Sequence, residues 1–506
     1  MTELDEGPNV PEIHRGRRPG DVFLRRPRPR RLALHRALGV PGLFSAAYGN
    51  VGSSIYYALG VTALYALGLT PLVFLVAGLF FGATALTFAE GTAAMPQAGG
   101  SMSFARRAFN PFISFGVGWT QLLNYMVTVA ISAFAVANYL AVFWAPLGDW
   151  PVNSIFGIGV VLSLTVINVI GVQESSRVNI LLAVVDLLSQ ALLVVLGLVL
   201  VLSIGLLIDN VIHPSDLSGV KLDISLGTAP TWDRFILGIA ISMIAFTGIE
   251  TVSNLAEETK NPTKNVPRSV FSVFAVVLVL YTLIPMVALS AMPVFQTADG
   301  GFATDLSDKF INNPVQGIVE NLPLAFTSIL KLWVGILAAI ILFIAANAGM
   351  LGMSRLAYSM GQNRDLPPAV SRLHPTRRTP ATAIIIFGVI SALLIIPGKL
   401  EILAAAYVFG AMLSFTFAHA SIIGLRVREP GMSRPFRIPW NVRVRGRDIP
   451  ITSVVGAAAT MFAWIVVVAT QPSGRIIGFS WLALGLLVYF AYRWYKRARP
   501  ESTRPQ

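Results

Sequence analysis

Apolar residues fall along this chain in long runs, without the two-residue alternation of strands or the heptad seam of coiled coils. Twelve runs reach about 17 residues or more, the length at which a helix can cross a bilayer. They lie at 38–66, 71–92, 112–143, 153–173, 178–206, 235–257, 267–292, 325–359, 381–397, 402–425, 451–470 and 476–495. The first, third and eighth are too long for one crossing and are expected to tilt, break or extend beyond the membrane. The expected fold class is an all-α polytopic membrane protein with 12 transmembrane helices, an even number that leaves both termini on one side.

Lys and Arg set the expected orientation, because basic loops stay cytoplasmic. Counted over alternate loops and both tails, one face carries 32 of the 38 basic residues. The other has Lys221, Arg234, Lys309, Lys331, Lys399 and Arg475. The rich face is expected to be cytoplasmic, with the N- and C-termini. Residues 1–37 lack an apolar core ahead of the first run and are rich in Arg and Pro. They predict a disordered basic cytoplasmic tail rather than a signal peptide.

Composition narrows the function classes. Of 506 residues, 55% are hydrophobic and 12% charged, about half the charged share of a soluble protein. A single water-soluble core, a disordered chain and a nucleic-acid binder are excluded on that ground. The net charge of +13 follows from the topology signal and a lipid-facing collar, so lipid is an expected partner and nucleic acid is not. There is no cysteine, and the five histidines, His14, His35, His213, His374 and His419, show no ligand spacing. No metal site, cofactor or enzymatic centre is expected.

A spanning helix must pair its backbone groups internally, so irregular backbone is tolerated only where it lines a cavity. The first run contains Ala47-Tyr48-Gly49-Asn50-Val51-Gly52-Ser53-Ser54, a poor helix centre. If it opens, the amides of the second half-helix suit a carboxylate and the carbonyls of the first suit an ammonium or a cation. Close helix packing through small residues explains the same stretch equally well. The sixth run holds Ala245-Phe246-Thr247-Gly248-Ile249-Glu250, with a weaker glycine signal but a carboxylate inside a span, which is costly and usually functional. These runs stand five apart, the placement that points to a midplane site between two five-helix halves.

Several motifs, in order along the chain, resemble those of the amino acid–polyamine–organocation (APC) permeases, in particular the bacterial amino-acid branch. Gly52-Ser53-Ser54-Ile55-Tyr56 is similar to the family's G-S-G-I-F. Glu90 to Gly100, with Ser101 and Arg106, resembles the stretch between spans two and three, and Gly118-Trp119 the opening of span three. Asn168 to Asn179, Phe246 to Arg268, Ser354 to Pro367 and Arg434 to Pro439 resemble later family segments. The likeness runs from about 38 to 440.

The resemblance implies two inverted five-helix repeats plus two extra helices, with helices 1 and 6 broken at mid-membrane. It divides the chain into a tail (1–37), a ten-helix transport core with its loops (38–440), two additional helices (441–496) and a cytoplasmic tail (497–506). It implies secondary transport of an amino acid by alternating access. Amides around Gly52, Ser53 and Ser54, with Asn50 and Val51 beside them, would hold the substrate carboxylate. Carbonyls of Ala245, Phe246 and Thr247, next to Gly248, would meet its amine, with Phe246 as the aromatic neighbour. Ile244 replaces the gating tryptophan of the arginine-exporting branch, and Ser54 replaces a family glycine. Asp186 stands where proton-coupled members carry a lysine, so lysine-based coupling does not transfer.

Asp186 and Glu250 are the coupling candidates, for H+ or Na+. Each has a structural alternative: Asp186 could be an acceptor for Ser189 or Gln190, and Glu250 could fix the second half-helix of span six. Gln121, Asn124 and Tyr125 in span three and Asn347 in span eight could line the pocket or bond between helices. Span three carries no acid, which favours a neutral amino acid. Glu90 is expected in an ion pair with loop arginines, Arg355 and Asp365 at the inner end of span eight, and His419 as a satisfied core residue. Two alternatives stand beside the permease reading. Gly49 to Leu59 also resembles the opening of potassium uptake permeases, with Asn50 in place of their aspartate. The other is a non-transporting nutrient sensor.

Overall fold

The computed structural model describes residues 38–97, 99–171, 176–212, 230–298 and 300–498. The expected tail over 1–37, Lys221 and most of the expected tail over 497–506 lie outside the described residues.

The first helical run comprises α1 (Val40–Val51), α2 (Ile55–Ala66) and α3 (Thr70–Ala94), joined by 3-10 turns at Gly52–Ser54 and Leu67–Leu69. There follow α4 (Gly100–Ala108), α5 (Pro111–Leu140), α6 (Val152–Ile170), α7 (Ser176–Leu200) and α8 (Ile204–Ile212). Next come α9 (Trp232–Ser242), the one-turn α10 (Thr251–Asn254), α11 (Pro262–Ala291), α12 (Pro314–Glu320) and α13 (Thr327–Gln362). The chain ends with α14 (Ala381–Ile395), α15 (Leu400–Arg428), α16 (Ile451–Thr470) and α17 (Pro472–Ala498). Two short antiparallel ribbons interrupt the helices: β1 (Phe295–Gln296) with β2 (Phe302–Ala303), and β3 (Asn441–Val444) with β4 (Arg447–Pro450).

The protein is thus a large, predominantly helical polytopic membrane protein. Among the described residues, ten helical runs are long and apolar enough to cross a membrane. The difference from twelve arises at two places. Val40–Ala94 counts as one 55-residue run, although Leu67 interrupts it with φ 43° and ψ −125°. The 381–397 run yields a helix of only 15 residues, about 22 Å at 1.5 Å per residue. The run 178–206 is also shorter than expected. α7 stops at Leu200, and the chain restarts as α8, whose Asn210 donates to the Leu289 carbonyl (3.1 Å) and accepts from the Val294 amide (3.0 Å).

Local chemistry accounts for several ends. Asn110 caps α5 by accepting from the Ile113 amide at 2.9 Å, ahead of Pro111 at the first turn. α6 stops at Gly171, whose φ of 83° suits a residue without Cβ. Burial then separates centre from rim. The most apolar stretch of α5 is 100% buried, whereas those of α16 and α17 are 28% buried, so α5 is central and the last two helices face lipid. α17 is nonetheless latched to α5. The Trp119 and Trp481 indoles stack with centroids 4.4 Å apart, and each donates to the other's carbonyl at 2.7 Å.

Candidate functional site at the two helix interruptions

The first interruption is milder than the sequence suggests. Between α1 and α2, Val51, Gly52, Ser54 and Ile55 all keep right-handed helical dihedrals. The helix tightens into a 3-10 turn there instead of unwinding. Such a turn leaves i→i−4 partners unmatched, and side chains take up the polar groups. Ser53 and Ser54 hydroxyls donate to the Asn50 carbonyl (3.0 and 3.3 Å). Gln190 donates to the Gly52 carbonyl (3.1 Å). The Tyr281 hydroxyl, from α11, donates to the Val51 carbonyl and accepts from the Ile55 amide (3.2 Å).

The second interruption is a full one. α9 ends at Ser242, a 3-10 turn covers Met243–Phe246, and Thr247 is extended at φ −87°, ψ 158°. Gly248 has φ 112°, a conformation that L side chains rarely adopt. A Cβ there would also meet Asn50 Cγ at 2.9 Å and the Val51 amide nitrogen at 3.0 Å. The two interruptions therefore touch, and Asn50 Nδ2 donates across them to Thr251 Oγ1 (3.0 Å).

The structure brings together Asn50, Val51, Gly52, Ser53, Ser54, Ala245, Phe246, Thr247 and Gly248, all buried. Phe246 lies in an aromatic group, with ring centroids 5.3 Å from Tyr281, 5.5 Å from Phe81 and 6.2 Å from Phe74. The hydroxyls of Thr128 and Thr247 both donate to Tyr407 Oη at 2.7 Å. Glu250 accepts from the Gly248 amide (3.0 Å) and from Asn124 Nδ2 (2.8 Å), while Asn124 Oδ1 is buried without a partner. Asp186 lies on the other flank, on α7. It accepts from Tyr48 (3.0 Å), Tyr56 (2.7 Å) and Gln190 (2.8 Å).

The remaining expected pocket residues separate. Gln121 and Tyr125 are bonded to each other (3.2 Å), and Tyr125 also accepts from Asn254 beyond the break (2.5 Å). Asn347 accepts from Asn168 of α6 (2.6 Å) and so is tied to that helix. Ser189, one suggested partner of Asp186, instead accepts from Trp333 (3.2 Å). Sequence reasoning missed Tyr48, Tyr281 and Tyr407. Their signal is a phenol in an apolar run, which needs a partner when buried.

Charged groups form ties at the helix ends. Buried Glu90 is gripped by Arg426 through two bonds (2.7 and 2.6 Å), lies 3.4 Å from Arg434 and accepts from the Ile438 amide (2.8 Å). Arg355 pairs with Glu258 (2.9 Å), and Arg106 with Asp365 (2.8 Å). The Leu38 amide donates to the Glu258 carbonyl (3.0 Å), and the Lys260 amide to the Leu38 carbonyl (2.8 Å). These contacts gather the start of α1, the chain after α10 and the end of α13. His419 is buried between the Thr84 and Thr87 hydroxyls (3.2 and 2.8 Å).

A bundle of apolar helices surrounds these buried polar interruptions, and with the family match that follows the protein is a membrane transporter of small polar solutes. Residues 38–492 match the family model described as amino acid permease, and the chain belongs to that family, within the APC superfamily. It is similar to the branched-chain amino acid permease BcaP of Bacillus subtilis, at 25% identity over 91% of this chain and 93% of that protein. It resembles the methylthioribose transporter of the same organism at 26%, over 83% and 84%. It also resembles the low-affinity putrescine importer PlaP of Escherichia coli at 26%, over 82% and 83%.

Proposed function

We propose that this permease is a secondary active transporter that moves a neutral amino acid across the cytoplasmic membrane by alternating access, driven by H+ or Na+. The observation that carries this reading is the contact of Asn50 and Val51 with Gly248 and Thr251. It joins two weak helix segments beneath the Phe246 aromatic group. Backbone amides near Gly52–Ser54 suit the substrate carboxylate and carbonyls at Ala245–Thr247 its ammonium. The aromatic rings suit an apolar side chain. In this reading Asp186 and Glu250 carry or balance the coupling ion, and Tyr281 and Gln190 stand in for substrate contacts until substrate displaces them.

The same reading takes the chain as twelve crossings in two inverted five-helix repeats plus α16 and α17, with both termini cytoplasmic. α1–α2 and α3 then count as separate crossings, and α14 crosses although short. The branched-chain permease among the relatives supports a neutral apolar substrate.

The test is a thermal-shift screen of the purified chain against the twenty amino acids, methylthioribose, putrescine and potassium, followed by uptake into proteoliposomes. Ligand binding to the folded state raises its melting temperature by mass action. A shift with one or a few neutral amino acids, and their uptake under an ion gradient, is the expected result. A shift with potassium alone would favour a cation permease. Binding without flux under any gradient would favour a sensor.

A further inference from the structure

A second polar region lies away from the interruptions, at the end of α17. A groove of about 700 Å³ opens there between α4, the start of α5, the end of α13 and the last turns of α17. Among the described residues its charged lining consists of Arg106, Arg364, Arg493 and Lys496 against one carboxylate, Asp365. That carboxylate is already engaged by Arg106 through two bonds (2.8 and 3.3 Å). Arg493 lies against the Tyr489 ring at 5.4 Å and donates to its hydroxyl (2.8 Å). Among the described residues of the groove, Arg106, Arg493 and Lys496 face a single acid, and like charges this close together favour a bound anion.

The depth and flank of the groove indicate where that anion comes from. Tyr489, Tyr492, Trp494 and Tyr495 crowd the last turns of this membrane-length helix, the composition of a headgroup-level belt. Leu487, Phe490 and Trp494 are 68%, 59% and 74% exposed, so an apolar face continues up α17. Phe112, in the groove wall and 44% exposed, meets Phe490 with centroids 6.4 Å apart. The path from basic groove to apolar face is therefore continuous.

We propose that this groove binds the phosphodiester headgroup of an anionic phospholipid, with an acyl chain lying over Phe112 and along the exposed face of α17. Basic pockets between helices at the interface have the chemistry for such headgroups. Because Arg106 and Asp365 form the tie between α4 and the end of α13, the bound lipid also braces that end of the bundle.

The full chain in neutral detergent is titrated with short-chain phosphatidylglycerol, with phosphatidylcholine of equal chain length, and with inorganic phosphate. Melting temperature and native mass spectrometry are the readouts. Phosphatidylglycerol is expected to stabilise more than phosphatidylcholine and to remain bound in the spectrometer. Each charge removed should weaken that preference roughly fivefold, for Lys496→Gln and further for Arg493→Gln/Lys496→Gln. Arg443→Gln/Arg445→Gln, on the exposed β3–β4 ribbon, should leave it unchanged. If the double variant does not fold, Lys496→Gln alone decides. Equal effects of the two lipids, an undiminished preference in the groove variants or an equal loss in the ribbon control would overturn the proposal. So would inorganic phosphate reproducing the full shift.

Discussion

Tyr56 donates a 2.7 Å hydrogen bond to Oδ1 of Asp186, 130 positions away in the chain. Tyr48 does the same to Oδ2 at 3.0 Å. One carboxylate on α7 thus holds both flanks of the 3-10 turn that divides α1 from α2. Its hydrogen-bond partners are these two phenols and the Gln190 side-chain amide.

If Asp186 handles the coupling ion, Asp186→Asn removes the titratable, cation-attracting oxygen but leaves most of the packing. Gradient-driven accumulation in proteoliposomes should fall by about tenfold or more, about 1.4 kcal/mol or greater. Substrate counterflow, which needs no gradient, should persist. Unimpaired accumulation would remove Asp186 from the coupling path. Tyr56→Phe should mainly lower the melting temperature, at about 1–2 kcal/mol for a buried bond lost.

Gly248→Ala tests the contact between the interruptions. The φ of 112° strains any L side chain by about 1–3 kcal/mol, and the new methyl would push Asn50 off Thr251. Uptake should drop at least about tenfold while the protein still inserts, as judged by its yield in purified membranes. Normal uptake would show that the substrate does not use this junction. Gly52→Ala should act by another route. Its Cβ would sit 2.7–3.0 Å from the Tyr48 ring and displace Tyr48 from Asp186.

Burial separates two ion pairs of similar length. Glu90→Gln leaves Arg426, whose side chain is 1% exposed, without its counter-charge, and should cost about 3–5 kcal/mol, read as a large fall in melting temperature. Glu320→Gln, in the α12 segment, should cost less than about 1 kcal/mol, because Glu320 and Lys331 are 35% and 28% exposed. The hydrogen bond from Lys331 holds Glu320 below the usual carboxylate range. A depressed folded-state value means that the pair stabilises above the ordinary carboxylate pKa of about 4.3 and fades as pH falls through the lower folded value. The variant should lose only that acid-side slope.

Phe246→Ala opens space between Phe74, Phe81 and Tyr281. Under the proposed function it should weaken binding of bulky apolar amino acids more than that of alanine, by about tenfold for a pocket that loses a ring. Thermal-shift titration of both ligands measures the ratio, and an equal loss for both would place the side-chain pocket elsewhere.

Much of this was legible in the chain itself. Apolar runs of this length read as membrane helices, because unpaired backbone is too costly in lipid, and the weak centres near Gly52 and Gly248 follow from residues that make poor helix. The motifs pointed to the permease family, which the match over 38–492 bears out. The sequence predicts an ion pair of Glu90 with loop arginines without naming which; Arg434 stands in a loop, whereas Arg426, the closer partner, lies in the last turn of α15.

Local composition settles whether a segment enters the bilayer and where its helix is weakest, because both depend on neighbours a few residues away. It does not settle what a weakened helix does with its freed groups. The first interruption stayed helical because Tyr281, from α11, and Gln190, from α7, reach its backbone, and Gly248 took a left-handed turn against Asn50. Those partners depend on how helices more than a hundred residues apart rotate and pack. Only the tertiary structure decides that, since each buried polar group must find its mate within hydrogen-bond reach.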